Sequence, residues 1–426
     1  MTDAAAEPEP PARDPYLARK AQYYALGLLV MIHACHSMDR GIVGVVTEPI
    51  HNEFGATDTQ IGLISLGFTF ALLAAVVPMG ILIDRVSRVR LHAILVATWS
   101  SLTALAGLAT SMGGLIAARM GVGAAEAGGH PNAMSLISDI FPRSRRGSAI
   151  GIFHISNGIG GTLAFLVGGW VAAEHGWRMT FFLAGVPGVL LALVCLLTFR
   201  EPKRGRTEPM GPDTSSEPAP PYRAVLRFVV TSPALLNLLV AGLLASVVAS
   251  SFGNWQASYF MRTHGLDLKE IGIVGGLGNG VLQAIGAPIA GVLADWFGRR
   301  RFHRSGYVGT MALLLMAPLG VGFTLSPHVG VAIGLSLVMG FAGGFWMAPL
   351  FALVLSVADP RMRGRVMSMM QILLSFGAGV GPFLVGMMSD ALGGRIHIAL
   401  AIGLGAAAWA AVHSFIGVRL SAKLVS

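Results

Sequence analysis

The chain has 426 residues, of which 54% are hydrophobic and 12% charged, against about 25% charged in an ordinary soluble domain. This excludes a water-soluble globular protein. Most of the 56 glycines and many of the 22 prolines lie inside apolar stretches, which excludes a disordered or collagenous chain as well.

Residues 1–20, rich in Ala, Pro and Glu, are expected to form a disordered cytoplasmic tail. Twelve apolar stretches follow, at about 22–47, 60–83, 91–111, 113–138, 147–173, 178–199, 229–261, 270–294, 305–325, 328–357, 366–389 and 396–418. Each reaches the roughly 20 residues that cross a hydrocarbon core. The first is a retained helix rather than a signal peptide, because His33, His36, Asp39 and Arg40 interrupt it and no small-residue cleavage site follows. One sizeable polar break, 201–228, carries Lys203, Arg204, Arg206 and a run of prolines. It divides a six-helix bundle at 21–200 from a second at 229–420, with a short cytoplasmic tail at 421–426. The fold expected is an all-α integral membrane protein with twelve transmembrane helices in two pseudo-symmetric six-helix halves.

The formal charge of +9 sits in short Lys and Arg clusters between the apolar runs. Of the 30 basic residues, 24 fall on the side of the N-terminal tail, and the opposite loops hold only Arg178, Arg262, Lys269 and Arg395. That asymmetry places both termini in the cytoplasm and leaves no charge that calls for a nucleic acid; the plasma (inner) membrane is the location expected. Cys35 and Cys195 stand in separate spans without metal-ligand spacing, so neither a disulfide framework nor a metal is expected.

The halves repeat. Gln60-Ile61-Gly62 is echoed by Glu270-Ile271-Gly272, and Gly80-x-Leu82-x-Asp84-Arg85-x-x-Arg88 by Gly291-x-Leu293-x-Asp295-x-x-x-Arg299. Asp139, Pro142, Arg145, Arg146 and Gly147 after the fourth span are matched by Asp359, Pro360, Arg361, Arg363 and Gly364 after the tenth. Duplication of a six-helix unit, with a site at the interface of the repeats near mid-membrane, is the architecture of secondary transporters.

Apart from histidines, four ionisable groups fall well inside the spans: Asp39, Arg40, Arg119 and Glu126. Left facing lipid, they would together cost on the order of 10 kcal/mol, so they face a cavity or one another. Arg119, Gly123, Glu126 and His130 fall within about 60° of arc on one helix and form a polar stripe. Two readings are open. Asp39 with Arg119, or Arg40 with Glu126, can be structural ion pairs that fix packing. Alternatively a carboxylate carries a proton, Glu126 first and Asp39 second, and Arg119 anchors an anionic substrate with Arg40 and His130 nearby. His33, His36 and His154 are weaker candidates for coupling. The spans of the C-terminal half carry no mid-membrane charge and offer an amphiphilic wall that includes Trp255, Phe341, Phe345 and Trp346, which serves either packing or the apolar part of a substrate.

The Gly-x-Leu-x-Asp-Arg/Trp-x-x-Arg element in both halves resembles the signature of the major facilitator superfamily, and the likeness covers about residues 20–420. Leu115-x-x-x-Arg119-x-x-x-Gly123 is similar to a second motif of that family, and Asn157-Gly158-Ile159-Gly160-Gly161 loosely to a third. Met38-Asp39-Arg40, together with Arg119, Glu126-Ala127, Pro131, Ser135, Asp139 and Phe141-Pro142, resembles the Spinster branch. The resemblance implies alternating access, with lysophospholipids or sphingoid lipids as the associated substrates. It also implies a latch at the inner side. Asp84 and Asp295, with Gly80, Arg85, Arg88 and Arg299, would pair with loop arginines and face the positive N-termini of neighbouring helices, unless they are simple caps.

The function expected is proton-coupled transport of an amphiphilic or anionic substrate, with an organic-anion or monocarboxylate symporter and a drug/proton antiporter as alternatives. An intramembrane enzyme is disfavoured: no nucleophile elbow, zinc-hydrolase, phosphate-loop or Cys-x-x-Cys motif occurs, and no cofactor is expected. A channel is disfavoured by the repeat. The expected partners are the bilayer, protons and the substrate, with the chain a monomer.

Overall fold

The computed structural model describes Tyr16 and residues 18–205, 207, 221–359 and 361–424. Nearly all of the expected N-terminal tail, most of the linker with Arg206 and Pro209 to Pro220, and Pro360 lie outside the described residues.

The described residues are helical, with no strand among them. The N-terminal half contains α1 (Arg19–Phe54), α2 (Asp58–Arg85), α3 (Arg88–Ala106), α4 (Met112–Glu126), α5 (Gly129–Ile140), α6 (Arg143–His175) and α7 (Trp177–Thr198). A short α8 (Tyr222–Thr231) precedes the C-terminal half, so the seventh span starts at Pro233 rather than at the expected 229. That half contains α9 (Pro233–His264), α10 (Leu268–Gly275), α11 (Gln283–Gly298), α12 (Gly306–Leu325), α13 (Val329–Gly343), α14 (Met347–Val357), α15 (Arg363–Ala391) and α16 (Ile396–Ser421). A π-helical turn, Gly276–Leu282, joins α10 to α11 in one span.

Eleven helical runs are long and apolar enough to cross a membrane. The expected fourth span is not among them. It breaks between α4 and α5 at Ala127 and Gly128, and Pro131 stands third in α5, where its missing N–H is an orphan in any case. The tenth span breaks the same way between α13 and α14, and Pro349 is again third in the restarted helix. The repeated Gln60 and Glu270 also find their reason. Each closes a capping box, with Thr57 at the start of α2 and with Asp267 at the start of α10.

With twelve crossings both termini lie at one end of the bundle, here called the terminal end. The halves meet at the far end. Gly44 on α1 is packed so closely on α9 that a side chain there would meet the Gly253 carbonyl at 2.5 Å, and one at Gly62 on α2 would meet the Phe383 backbone of α15 at 2.6 Å. Charges join the same helices. Arg262 of α9 binds Glu48 of α1 and Asp58 of α2, each at 2.8 Å, and Asp390 of α15 accepts from the amides of Asp58 and Thr59. Lys269 pairs with Glu174 across α10 and α6. Toward the terminal end the same helices part: Gly80, Gly147, Gly151, Gly291 and Gly364 have nothing within 4 Å of the side chain they lack. A gap therefore opens between the halves at the terminal end.

Candidate functional site

The polar stripe of α4 faces α1 and α3 inside the N-terminal half. Arg119 is 2% exposed, and its Nη1 donates to both carboxylate oxygens of Asp39 at 2.8 Å. Thr103 of α3 donates a third hydrogen bond to Asp39, at 2.9 Å. A buried charge pair depends on its hydrogen bonds being completed; Asp39 gathers three, while the buried Nε of Arg119 has no partner. Close approach of α2 makes room for it. Gly123 lies one turn from Arg119, and any side chain there would strike the Phe68 carbonyl at 2.2 Å.

Glu126 is 3% exposed and neither carboxyl oxygen has a hydrogen-bond partner. Its ion-pair contact is His36 of α1, whose Nδ1 lies 3.5 Å from Oε2, and the Asp39 carboxyl is close enough to act on it as well. Of the two pairings open at the sequence level, Asp39 with Arg119 is therefore present, while Glu126 meets His36 and not Arg40. Arg40 is exposed and lies 5.1 Å from the centre of the Phe68 ring, against which Arg119 also lies, at 5.3 Å. Among the described residues Arg40 forms no ion pair. Asp39, Arg40, Arg119 and Glu126 thus converge on one cluster.

His130 opens α5 beside this cluster and is exposed, with its ring 5.7 Å from that of His33. Trp255 is elsewhere. It is 1% exposed on α9, and its indole donates to the Pro382 carbonyl of α15, so in this conformation it joins two helices of the C-terminal half. Phe341 and Phe345 pack on each other at 5.0 Å, and Trp346 is buried. Gln283 and Gln371 remain exposed.

The expected latch residues divide. Asp84, Arg85, Asp295 and Arg299 are exposed, and neither Asp84 nor Asp295 forms an ion pair among the described residues. Gly80 borders open space. Arg88 differs, being 2% exposed and bound within its own half. It pairs with Asp139, donates to Ser135 and to the Pro202 carbonyl, and reaches Glu201 at 3.1 Å. Burial pushes the Glu201 carboxyl up, but hydrogen bonds from Ser87, the Val89 amide and Arg88 outweigh it and hold the group below the usual carboxylate range.

The far-end clasp of Glu48, Asp58, Arg262 and Asp390 was not singled out from the sequence. One signal pointed to it. Three of the four basic residues on the sparsely charged side, Arg178, Arg262 and Lys269, have carboxylate partners there.

The sequence profile of the Major Facilitator Superfamily matches residues 29–382 and 257–423. The chain belongs to this superfamily. Within it the transporter is Spinster-like. A solved bacterial homologue of the human lysosomal transporter Spinster, in an inward-facing and unoccupied conformation, superposes with a TM-score of 0.80 at 26% identity, covering 96% of this chain and 98% of that one. Protein spinster of Drosophila melanogaster is 24% identical over 392 residues, 89% of this chain and 64% of that protein. An MFS-type efflux pump of Mycolicibacterium smegmatis is 29% identical over 373 residues, 86% and 84% of the two chains. The transporter is a multi-pass membrane protein, and its charged cluster sits between α1, α3 and α4 beside the gap at the terminal end.

Proposed function

We propose that the chain is a proton-coupled secondary transporter that works by alternating access in the plasma (inner) membrane, with the terminal end in the cytoplasm. Its substrate is amphiphilic or anionic, such as a lysophospholipid or sphingoid lipid. The observation that carries this reading is the division of labour in the cluster. Arg119 is paired with Asp39, neither carboxyl oxygen of buried Glu126 has a hydrogen-bond donor, and among the described residues Arg40, at the edge of the gap, forms no ion pair.

Charge balance would link the two cargoes. The charges of Asp39, Arg40 and Arg119 all act on Glu126. A proton leaving Glu126 creates a carboxylate that competes with Asp39 for Arg119, and an anionic head on Arg40 adds to the same local sum. A potential of about 120 mV with one pH unit supplies roughly 4 kcal/mol per proton, near a thousandfold accumulation. The absence of mid-membrane charge in the C-terminal half suits the apolar part of the substrate. Asp84 and Asp295, unpaired while the terminal end is open, would close as the latch in the opposite state.

Two supports are independent of the cluster. The excess of Lys and Arg at the terminal end favours a cytoplasmic position for it, and the chain's similarity to an inward-facing bacterial Spinster homologue agrees with an opening on that side. The test is lumenal pH in proteoliposomes after adding lysophosphatidylcholine or, separately, lactate. Protein-dependent proton movement with the lysolipid alone is expected. Movement with lactate alone would favour a small organic-anion symporter, and no movement with either would remove proton coupling.

A further inference from the structure

Four histidines of the N-terminal half form a series that leads from the open gap to Glu126, and the function proposed above uses none of them. His154 of α6 is exposed. It lies one turn before Gly158, whose missing side chain would meet Ala284 of the other half at 2.7 Å, so His154 is on the face of α6 that looks into the gap. From there the ring centres step inward: His154 to His130 at 5.8 Å, His130 to His33 at 5.7 Å, and His33 to His36 at 4.9 Å. The last step is His36 Nδ1 to Glu126 Oε2 at 3.5 Å. Exposure falls along the way, from exposed His154 and His130 to His33 and His36 at 9% and Glu126 at 3%.

The inner end has room and unmet polar atoms. His33, His36, His92 and His130 line a cavity with Trp99 and Phe153, with space for about one water molecule. His92 is 2% exposed and neither ring nitrogen has a hydrogen-bond partner, nor has either oxygen of Glu126. Buried polar atoms left unpaired in a native protein call for an occupant or a role. A metal is not that occupant, because no three His, Cys, Asp or Glu among the described residues are placed to hold one.

We propose that His154, His130, His33 and His36 are a proton path between the gap and Glu126. Each imidazole takes a proton on one ring nitrogen and releases one from the other. With ring centres 4.9 to 5.8 Å apart, nitrogens of successive rings come near enough for a handover through one bridging water, which accepts from one imidazole and donates to the next. The titratable and charged groups facing the path are Asp39 and Arg40 on α1, His92 on α3, and Arg119 and Glu126 on α4. Asn157, one turn from His154 on α6, holds the entry in place: it accepts from Ser37 of α1, and its amide nitrogen is 3.4 Å from His154 Nδ1.

The path rests on Glu126 being the site of proton exchange, and one experiment separates the two claims. Proteoliposomes on a solid-supported membrane receive a rapid pH step without substrate, and the transient current reports proton binding in amplitude and rate. Glu126→Gln is expected to remove the amplitude; persistence of the amplitude would refute the Glu126 reading itself. His33→Gln and His154→Gln are expected to keep the amplitude while the rate falls roughly a hundredfold, the low end of what positioned proton transfer contributes. Added imidazole is expected to restore the rate of His33→Gly, which the loss of a packing ring would not allow. His154 is exposed, so His154→Gln leaves the fold intact. A wild-type rate in His154→Gln and His33→Gln would overturn the path and leave Glu126 in its role.

Discussion

Asp39, Arg40, Arg119 and Glu126 were legible in the sequence because a charge inside an apolar span is expensive and therefore has a reason to be there. Their partners were not. The sequence left Arg40 to Glu126 open as a pair, yet Glu126 meets His36, because the rotation of α1 about its axis is set by packing against α6 and α7 and not by its own pattern. For Trp255 the sequence left packing and substrate contact open, and in this conformation its indole donates to the Pro382 carbonyl. The Asp39 and Arg119 pair makes a stability prediction. Asp39→Asn leaves a buried guanidinium without its counter-charge, at a cost of about 3–5 kcal/mol. The melting temperature in detergent is expected to fall sharply, and Asp39→Asn combined with Arg119→Gln is expected to recover part of the loss.

At the scale of elements, the twelve spans were readable from length and hydropathy, and the capping boxes explain why Gln60 and Glu270 recur. The break in the fourth span was half legible. Pro131 lies within the span and bars a continuous helical ladder there, while Gly128 packs so close to Leu95 that a side chain would meet it at 2.7 Å. Paired breaks in the fourth and tenth spans mark matching positions in the two repeats, which is where such carriers place their sites. The start of the linker does more than connect the halves. Glu201 caps α3 through the Val89 amide, and Arg204 donates to the Ile83 and Val86 carbonyls at the end of α2. The lowered Glu201 carboxyl fixes the sign of a pH effect: its stabilisation is present above the ordinary carboxylate range and is lost as pH falls through its depressed value. Glu201→Gln is expected to lower the melting temperature at neutral pH and to flatten the decline on the acid side, as melting curves across pH would record.

For the whole molecule, composition and hydropathy carried the fold class and the Lys and Arg asymmetry an expected orientation, but nothing in them says which end is closed. That depends on contacts between residues about two hundred positions apart, such as Glu48 and Arg262. The clasp at the far end and the parted glycines at the terminal end describe one state of a two-state carrier. Removing the clasp should shift the balance. Arg262→Ala leaves Glu48 and Asp58 without their shared cation, and the ratio of states is expected to move about tenfold, or about 1.4 kcal/mol, toward a closed terminal end. Spin labels at Val86→Cys and Arg300→Cys, in a chain lacking Cys35 and Cys195, are expected to show a shorter distance population in the variant.

The central claim is that Glu126 carries the coupled proton. The most direct test compares wild type with Glu126→Gln in proteoliposomes, using the substrate that moves protons in the wild type and measuring both exchange and accumulation driven by a pH gradient. The account predicts that Glu126→Gln keeps exchange and loses accumulation. Full accumulation in Glu126→Gln would contradict it and take this residue out of the mechanism.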